Sequence, residues 1–143
     1  MVYPHQLAAG IELVKNLPNQ KFVLDHIAKP KISEELDKDW VYNIEKLASM
    51  PNAFCKISGM VTEANNYIWE KGDFDAFLDV IVANFGFERI MYGSDWPVCL
   101  LAGSNKAQLS VIDNYFSNYP KEVKSKLMGE NATRFYQLQS LEI

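Results

Sequence analysis

The chain is poor in cysteine, in histidine and in positive charge. Its two cysteines, Cys55 and Cys99, match no metal-binding or redox spacing, so we expect reduced, buried thiols. No apolar run approaches the ~20 residues of a membrane span, and the first residues do not resemble a signal peptide. A net charge of −4 argues against nucleic acid and anionic membranes as partners. These absences predict a soluble, cytoplasmic protein.

Three short apolar runs organise what is present. Residues 21–26, 53–59 and 89–93 are each typical of a buried strand, and segments with helical spacing separate them. The strands begin about 32 to 35 residues apart, an interval that predicts parallel strands joined by right-handed crossovers. Because 48% of the 143 residues are hydrophobic, we expect one α/β domain spanning residues 1–143.

Helices are expected around these strands, and Asp37 or Asp39 is available to cap the second helix. Three strand–helix units are too few for a closed eight-stranded barrel, which typically needs about 250 residues. The chain is therefore either a small three-stranded α/β domain or one side of a larger barrel. The predicted helices cover residues 6–17, 39–50, 73–85, 106–116, 121–128 and 131–138, with a shorter one within 63–69.

The strongest functional signal lies in the stretch Arg89–Pro97. It begins as an apolar strand, breaks at Gly93 and places Ser94, Asp95 and Trp96 just beyond the strand's end. Ligands of parallel α/β sheets bind at the carboxyl ends of the strands. A carboxylate at this position is therefore the best single candidate for a functional group.

Polar residues also end the other two strands. His26 closes the first strand and Lys29 follows it, while period-two alternation places Lys56 and Ser58 on one side of the second. If the strands are parallel neighbours, these side chains share one rim with Asp95. Imidazole and carboxylate groups bind Zn²⁺ or Mn²⁺, and a metal-bound water attacks at neutral pH when a carboxylate takes its proton. The rim therefore suits hydrolysis, with Asp95 as metal ligand, general base or both.

Each candidate also has a plainer interpretation. Asp95 is equally compatible with a turn cap, and His26 with a hydrogen-bonded histidine that has no chemical role. Lys29 and Lys56 are typical of solvated or paired lysines. Trp96 is a candidate pocket wall.

Three motifs surround the ends of the predicted strands. They are Val23-Leu24-Asp25-His26-Ile27-Ala28-Lys29-Pro30, Cys55-Lys56-Ile57-Ser58-Gly59-Met60-Val61-Thr62-Glu63-Ala64 and Met91-Tyr92-Gly93-Ser94-Asp95-Trp96-Pro97-Val98. They closely resemble the amidohydrolase-related family of metal-dependent hydrolases, and within it the fuconolactonase-type sugar lactonases. That family has a (β/α)₈ TIM-type barrel, and the resemblance is to its C-terminal half only. It implies an incomplete barrel of about three parallel strands with flanking helices.

The resemblance also implies roles for single residues. Asp95 matches the family's eighth-strand aspartate, which is metal ligand and proton acceptor. His26 matches the sixth-strand histidine, and His5 matches the histidine after strand five. The family's first-strand His-x-His pair has no counterpart, so a metal site of His26, Asp95 and His5 would be incomplete. The implied substrate contacts are His5, Lys29, Lys56, Ser58 and Trp96.

These observations lead to one expected function and two alternatives. The expected function is metal-assisted hydrolysis of a small sugar lactone or sugar-acid derivative by the intact parent protein, with Zn²⁺ or Mn²⁺ as cofactor and Asp95 activating water. The alternatives are a non-catalytic truncated fragment and a small α/β association module. Because a half-barrel leaves sheet edges unpaired, we expect a homo-oligomer or a partner that covers the open edge.

Overall fold

The computed structural model describes residues 1–32 and 35–138, and its centre is a sheet of three parallel strands. The strands are β1 (Phe22–Leu24), β2 (Ala53–Ile57) and β3 (Ile90–Tyr92), arranged in chain order. The register places Leu24 opposite Cys55 and Cys55 opposite Ile90. The predicted α/β fold with parallel strands is confirmed, and the three carboxyl ends lie along one edge.

Six α-helices accompany the sheet within the described ranges. Asp37 caps the second of them by accepting hydrogen bonds from the backbone N–H groups of Asp39 and Trp40, as its position before the helix predicted. A π-helical segment, Lys126–Glu130, joins the last two. The helices are α1 (Leu7–Asn16), α2 (Lys38–Ala48), α3 (Asp75–Phe85), α4 (Asn105–Tyr115), α5 (Lys121–Ser125) and α6 (Asn131–Tyr136).

Left-handed backbone accounts for two differences from the sequence-based prediction. The first strand was expected over 21–26, but it ends at Leu24 because the four residues 26–29 all have positive φ, between 47° and 66°. The helix expected within 63–69 is replaced by two 3₁₀ turns, Val61–Glu63 and Asn65–Tyr67. Asn66 and Tyr67 have φ of 53° and 61°, which right-handed helix geometry excludes.

The two faces of the sheet are covered by different parts of the chain. On β2, which α2 and α3 both contact, Cys55 and Ile57 are fully buried. Phe54 and Lys56 alternate with them and meet α6, where the ring centroids of Phe54 and Phe135 lie 4.9 Å apart. Both cysteines are free and buried, as predicted. No helix within residues 1–32 and 35–138 is long and apolar enough to cross a membrane.

Candidate active site at the carboxyl edge of the sheet

His26 and Asp95 meet at the carboxyl edge of the sheet. Nε2 of His26 lies 3.5 Å from Oδ1 of Asp95, and the two side chains are 20% and 10% exposed. They come from the ends of β1 and β3, with β2 between them. The expectation that parallel strands bring this imidazole and this carboxylate to one rim is confirmed.

Both residues sit in left-handed backbone, which non-glycine residues adopt at an energetic cost. The φ of His26 is 56° and that of Asp95 is 52°. The turn carrying His26 is fixed by the buried indole of Trp40, whose Nε1–H donates to the carbonyl oxygen of Ile27 at 2.9 Å. Such conformations persist where the surrounding structure enforces them, and they concentrate at functional sites.

Ser58 and Gly59 set the orientation of the His26 ring. Oγ of Ser58, which is 1% exposed, lies 2.7 Å from Nδ1 of His26. The hydroxyl is able to accept from Nδ1–H, which leaves the Nε2 lone pair towards Asp95, or to donate to Nδ1. Gly59 has a φ of 59°, and a Cβ atom there would lie 2.7 Å from Nδ1. Glycine therefore leaves the space in which the ring lies.

Burial lowers the pKa of His26, and the negative charges of Asp95 and Asp25 oppose that effect without cancelling it. The ring is therefore mainly neutral around pH 7. A neutral imidazole is the form that ligates metals and polarises a carbonyl group without carrying a charge.

The lowered pKa of His26 predicts a pH dependence of stability. Because the unfolded chain binds a proton near the ordinary pKa of about 6.5 and the folded chain does so only at lower pH, stability is lost as the pH falls below about 6.5. The slope for this one proton is at most about 1.4 kcal/mol per pH unit. Urea unfolding at pH 7.5 and 5.5 should show a larger loss for the wild type than for His26→Asn. Asparagine suits the left-handed backbone at this position.

His5→Asn is the matched control, because His5 is solvent-exposed. It should retain the wild-type loss of stability between the two pH values. An equal loss in wild type and His26→Asn would contradict the assignment of the titrating group.

Two lysine–carboxylate pairs flank the His26–Asp95 pair. Nζ of Lys56 donates to Oδ1 of Asp25 at 2.6 Å, and Lys29 donates to the carboxylate of Glu63. Burial opposes the charged form of Lys56, but interactions with Asp25 and, to a smaller extent, Tyr136 outweigh it and raise the pKa of Lys56. Both lysines are therefore paired, which agrees with the plainer interpretation of their positions.

Neither His5 nor Trp96 lies with the mostly buried His26–Asp95 pair. His5 stacks on Tyr3, with ring centroids 6.1 Å apart, and lines a cavity with Asp37 and Trp40. Trp96 follows Asp95 but is 66% exposed, so it lies on the rim instead of forming an enclosed wall.

Comparisons with known proteins fit this arrangement. A model of the amidohydrolase family matches residues 2–138. The chain belongs to the amidohydrolase family. This match confirms the family resemblance that the motifs indicated.

Two curated relatives of this amidohydrolase are sugar lactonases. An L-fucono-1,5-lactonase from Burkholderia multivorans is 38% identical over 130 residues, covering 81% of this chain and 43% of the relative. An L-fucono-1,5-lactonase from Burkholderia ambifaria is 30% identical over 142 residues, covering 96% and 49%. The chain thus spans about half the length of the curated relatives it matches.

A solved amidohydrolase superposes on nearly the whole chain. The crystal structure of an amidohydrolase from Burkholderia multivorans with bound Zn has a TM-score of 0.89 and 34% identity, covering 97% of this chain and 51% of that one. The fold of the described residues is therefore that of one part of a longer amidohydrolase.

The rim of this amidohydrolase carries two donor atoms that suit a metal ion. Nε2 of His26 and Oδ1 of Asp95 are suitable ligands, and Oδ2 of Asp95 is buried without a hydrogen-bond partner in the described structure. Zinc sites in proteins use three or four protein ligands. Within residues 1–32 and 35–138, however, no group of three or more His, Cys, Asp or Glu side chains is placed to hold a metal, so His5 does not join the pair. The residues present supply two ligands and leave the set incomplete.

Sequence reasoning did not identify Gln108 as part of the site. This residue of α4 is 2% exposed and donates to the carbonyl oxygens of Gly93 and Ser94 at 3.2 Å and 2.7 Å. A polar residue in an amphipathic helix is ordinarily solvent-facing, so the helical pattern carried no signal for it. Glu63, the partner of Lys29, lies in the second family motif but was not predicted to be a site residue.

Proposed function

We propose that this chain supplies the histidine–aspartate side of a sugar-lactone hydrolase site. The observation that carries the proposal is the His26–Asp95 pair at the carboxyl edge of parallel strands, in a chain 38% identical to an L-fucono-1,5-lactonase. The substrate is a small sugar lactone and the product is the open-chain sugar acid.

In the proposed reaction, Asp95 acts as the general base. Its carboxylate accepts a proton from water while the water oxygen forms a bond to the lactone carbonyl carbon. The bond between that carbon and the ring oxygen then breaks, and the ring oxygen takes the proton held by Asp95 to become a hydroxyl group, which restores the carboxylate. The His26 ring faces the Asp95 carboxylate through Nε2, and its Nδ1 lies 2.7 Å from Oγ of Ser58.

The other residues predicted to contact the substrate take different parts in the proposed site. Lys29, Lys56 and Trp96 lie on or near the rim and are proposed to contact the sugar. Ser58 is buried and acts through His26. His5 is proposed as a more distant contact, because it lies against α1 and α2.

We further propose that the complete site holds a divalent metal such as Zn²⁺ or Mn²⁺, with His26 and Asp95 as two of its ligands. Such an ion would lower the pKa of bound water and polarise the lactone carbonyl. The described residues supply no third ligand, so the proposed hydrolytic step uses only Asp95 and His26.

A lactonase assay tests the proposal. The purified chain, and any longer polypeptide that its reading frame encodes, would be incubated with L-fucono-1,5-lactone after chelation and after addition of Zn²⁺ or Mn²⁺. Acid release above the buffer-only rate is expected, with the larger rate in the metal-supplemented samples of the longer polypeptide. A folded longer polypeptide that releases no acid above the blank under any of these conditions would contradict it.

A second candidate function, association without catalysis, is favoured by apolar residues next to the site. Trp96, Val98, Leu100 and Leu101 are between 47% and 66% exposed, and β1 and β3 are both edge strands. Exposed apolar clusters and unpaired strand edges promote pairing with another chain. We propose that a second copy or another polypeptide covers an edge. Light scattering during size-exclusion chromatography is expected to show an oligomer, and a clean monomer at all concentrations would contradict this.

A further inference from the structure

Two buried carboxamides hold β3, one at each end. At its amino end, Nδ2 of Asn131 donates to the carbonyl oxygens of Phe87 and Ile90, both at 2.7 Å. Beyond its carboxyl end, Nε2 of Gln108 donates to the carbonyl oxygens of Gly93 and Ser94 at 3.2 Å and 2.7 Å. Asn131 and Gln108 are 0% and 2% exposed. The two amides make comparable contacts but support opposite ends of the strand.

The carbonyl groups bound by Gln108 belong to the two residues immediately before Asp95. Asp95 itself has a φ of 52°, a left-handed conformation that aspartate adopts more readily than most residues but still at an energetic cost. Its own carbonyl oxygen accepts a hydrogen bond from the N–H of Cys99 at 2.9 Å. Gln108 thus fixes the backbone on one side of Asp95, and the following turn fixes it on the other.

The oxygen and the nitrogen of the Gln108 amide have different surroundings. Oε1 of Gln108 and the hydroxyl of Tyr92 are both buried, and the Gln108 side chain lies close enough to oppose the rise in the pKa of Tyr92 that burial causes. The amide N–H groups, in contrast, are used on the carbonyls of Gly93 and Ser94. Both hydrogen bonds that the amide donates to backbone carbonyl groups go to the segment that carries Asp95.

We propose that Gln108 is a positioning residue that holds the Asp95 carboxylate at the rim through the carbonyl groups of Gly93 and Ser94. Its catalytic consequence rests on the proposed function, whereas its effect on the backbone does not. When the amide is lost, we therefore expect residues 93–99 to open locally while the sheet stays intact.

Amide hydrogen exchange, followed residue by residue by NMR, tests this in the chain itself. Gln108→Met retains the length of the side chain and removes both donors. The Cys99 amide, bonded to the Asp95 carbonyl, should exchange about tenfold faster than in the wild type. The Cys55 amide, bonded to the Arg89 carbonyl at 2.8 Å, reports the core of the sheet and provides the correction for global destabilisation.

Asn131→Leu is the matched control, because it removes an equally buried amide with two backbone acceptors. After the same correction, its Cys99 exchange should stay within twofold of the wild type. Equal acceleration of Cys99 in both variants, or none in Gln108→Met, would overturn the proposal. If Gln108→Met does not fold, Gln108→Glu replaces it, since a carboxyl group donates at most one hydrogen bond and should accelerate Cys99 severalfold.

An activity measurement separates this proposal from the proposed function. In a preparation that hydrolyses the lactone, Gln108→Met should lower kcat with KM unchanged, while Asn131→Leu changes both by less than twofold. A rise in KM without a fall in kcat would overturn the positioning role. The exchange result stands whether or not hydrolysis is detected.

Discussion

Replacing Asp95 with asparagine is expected to lower the rate of lactone hydrolysis by about 10²- to 10⁴-fold, the usual contribution of a general base. Asparagine has the same shape but cannot accept the proton from water at neutral pH. It also tolerates the φ of 52° that this position requires, so the fold should be retained. Steady-state kinetics on the most active preparation, together with urea unfolding, would measure the two effects separately.

Asp113→Asn is the control for this change. The Asp113 side chain lies on α4 and is 64% exposed. Its Oδ1 atom is 3.9 Å from Nζ of Lys124. Removing its charge should leave the rate within twofold. Hydrolysis that survives Asp95→Asn undiminished would remove Asp95 from the mechanism.

Replacing Gly59 with alanine is expected to destabilise the fold by about 2–4 kcal/mol, combining the left-handed backbone penalty with a steric clash. The new Cβ would lie 2.7 Å from Nδ1 of His26, closer than unbonded atoms approach, so the ring must move away from Ser58. The free energy of unfolding in urea measures the first effect. A changed NMR environment of the His26 ring protons reports the second.

Gly10→Ala is the matched control, because Gly10 lies within α1 and a Cβ atom there meets nothing within 4 Å. It should stabilise the chain by about 0.5–1 kcal/mol, since alanine is the better helix former. If Gly59→Ala were as harmless as Gly10→Ala and left the His26 resonances in place, the close fit around the ring would be wrong.

The position of the site was predictable because it depends on few rules. Apolar runs located β1, β2 and β3, and their spacing implied parallel neighbours, so His26 and Asp95 had to share an edge. Period-two alternation also placed Lys56 and Ser58 on the site side of β2. These inferences need only the strand positions and directions.

What sequence patterns did not predict depends on contacts between distant residues. Lys29 and Glu63 are 34 residues apart, and neither residue signals the other in the sequence. The early end of β1 follows from the left-handed turn at residues 26–29, which contains no glycine to indicate it. Gln108 bonds to the backbone of Gly93 and Ser94, 15 and 14 residues earlier in the chain, which the helical pattern around it does not indicate. In each case tertiary structure overrides the local preference.

The paired lysines bear on product release in the proposed reaction. A lactone is uncharged, but the sugar acid formed from it carries a carboxylate. Lys56 and Lys29 are already matched by Asp25 and Glu63, so neither ammonium group is free to retain that new anion. In the chain without a metal ion, the carboxylate of Asp95 repels the product, so we expect the accumulated acid to inhibit only weakly.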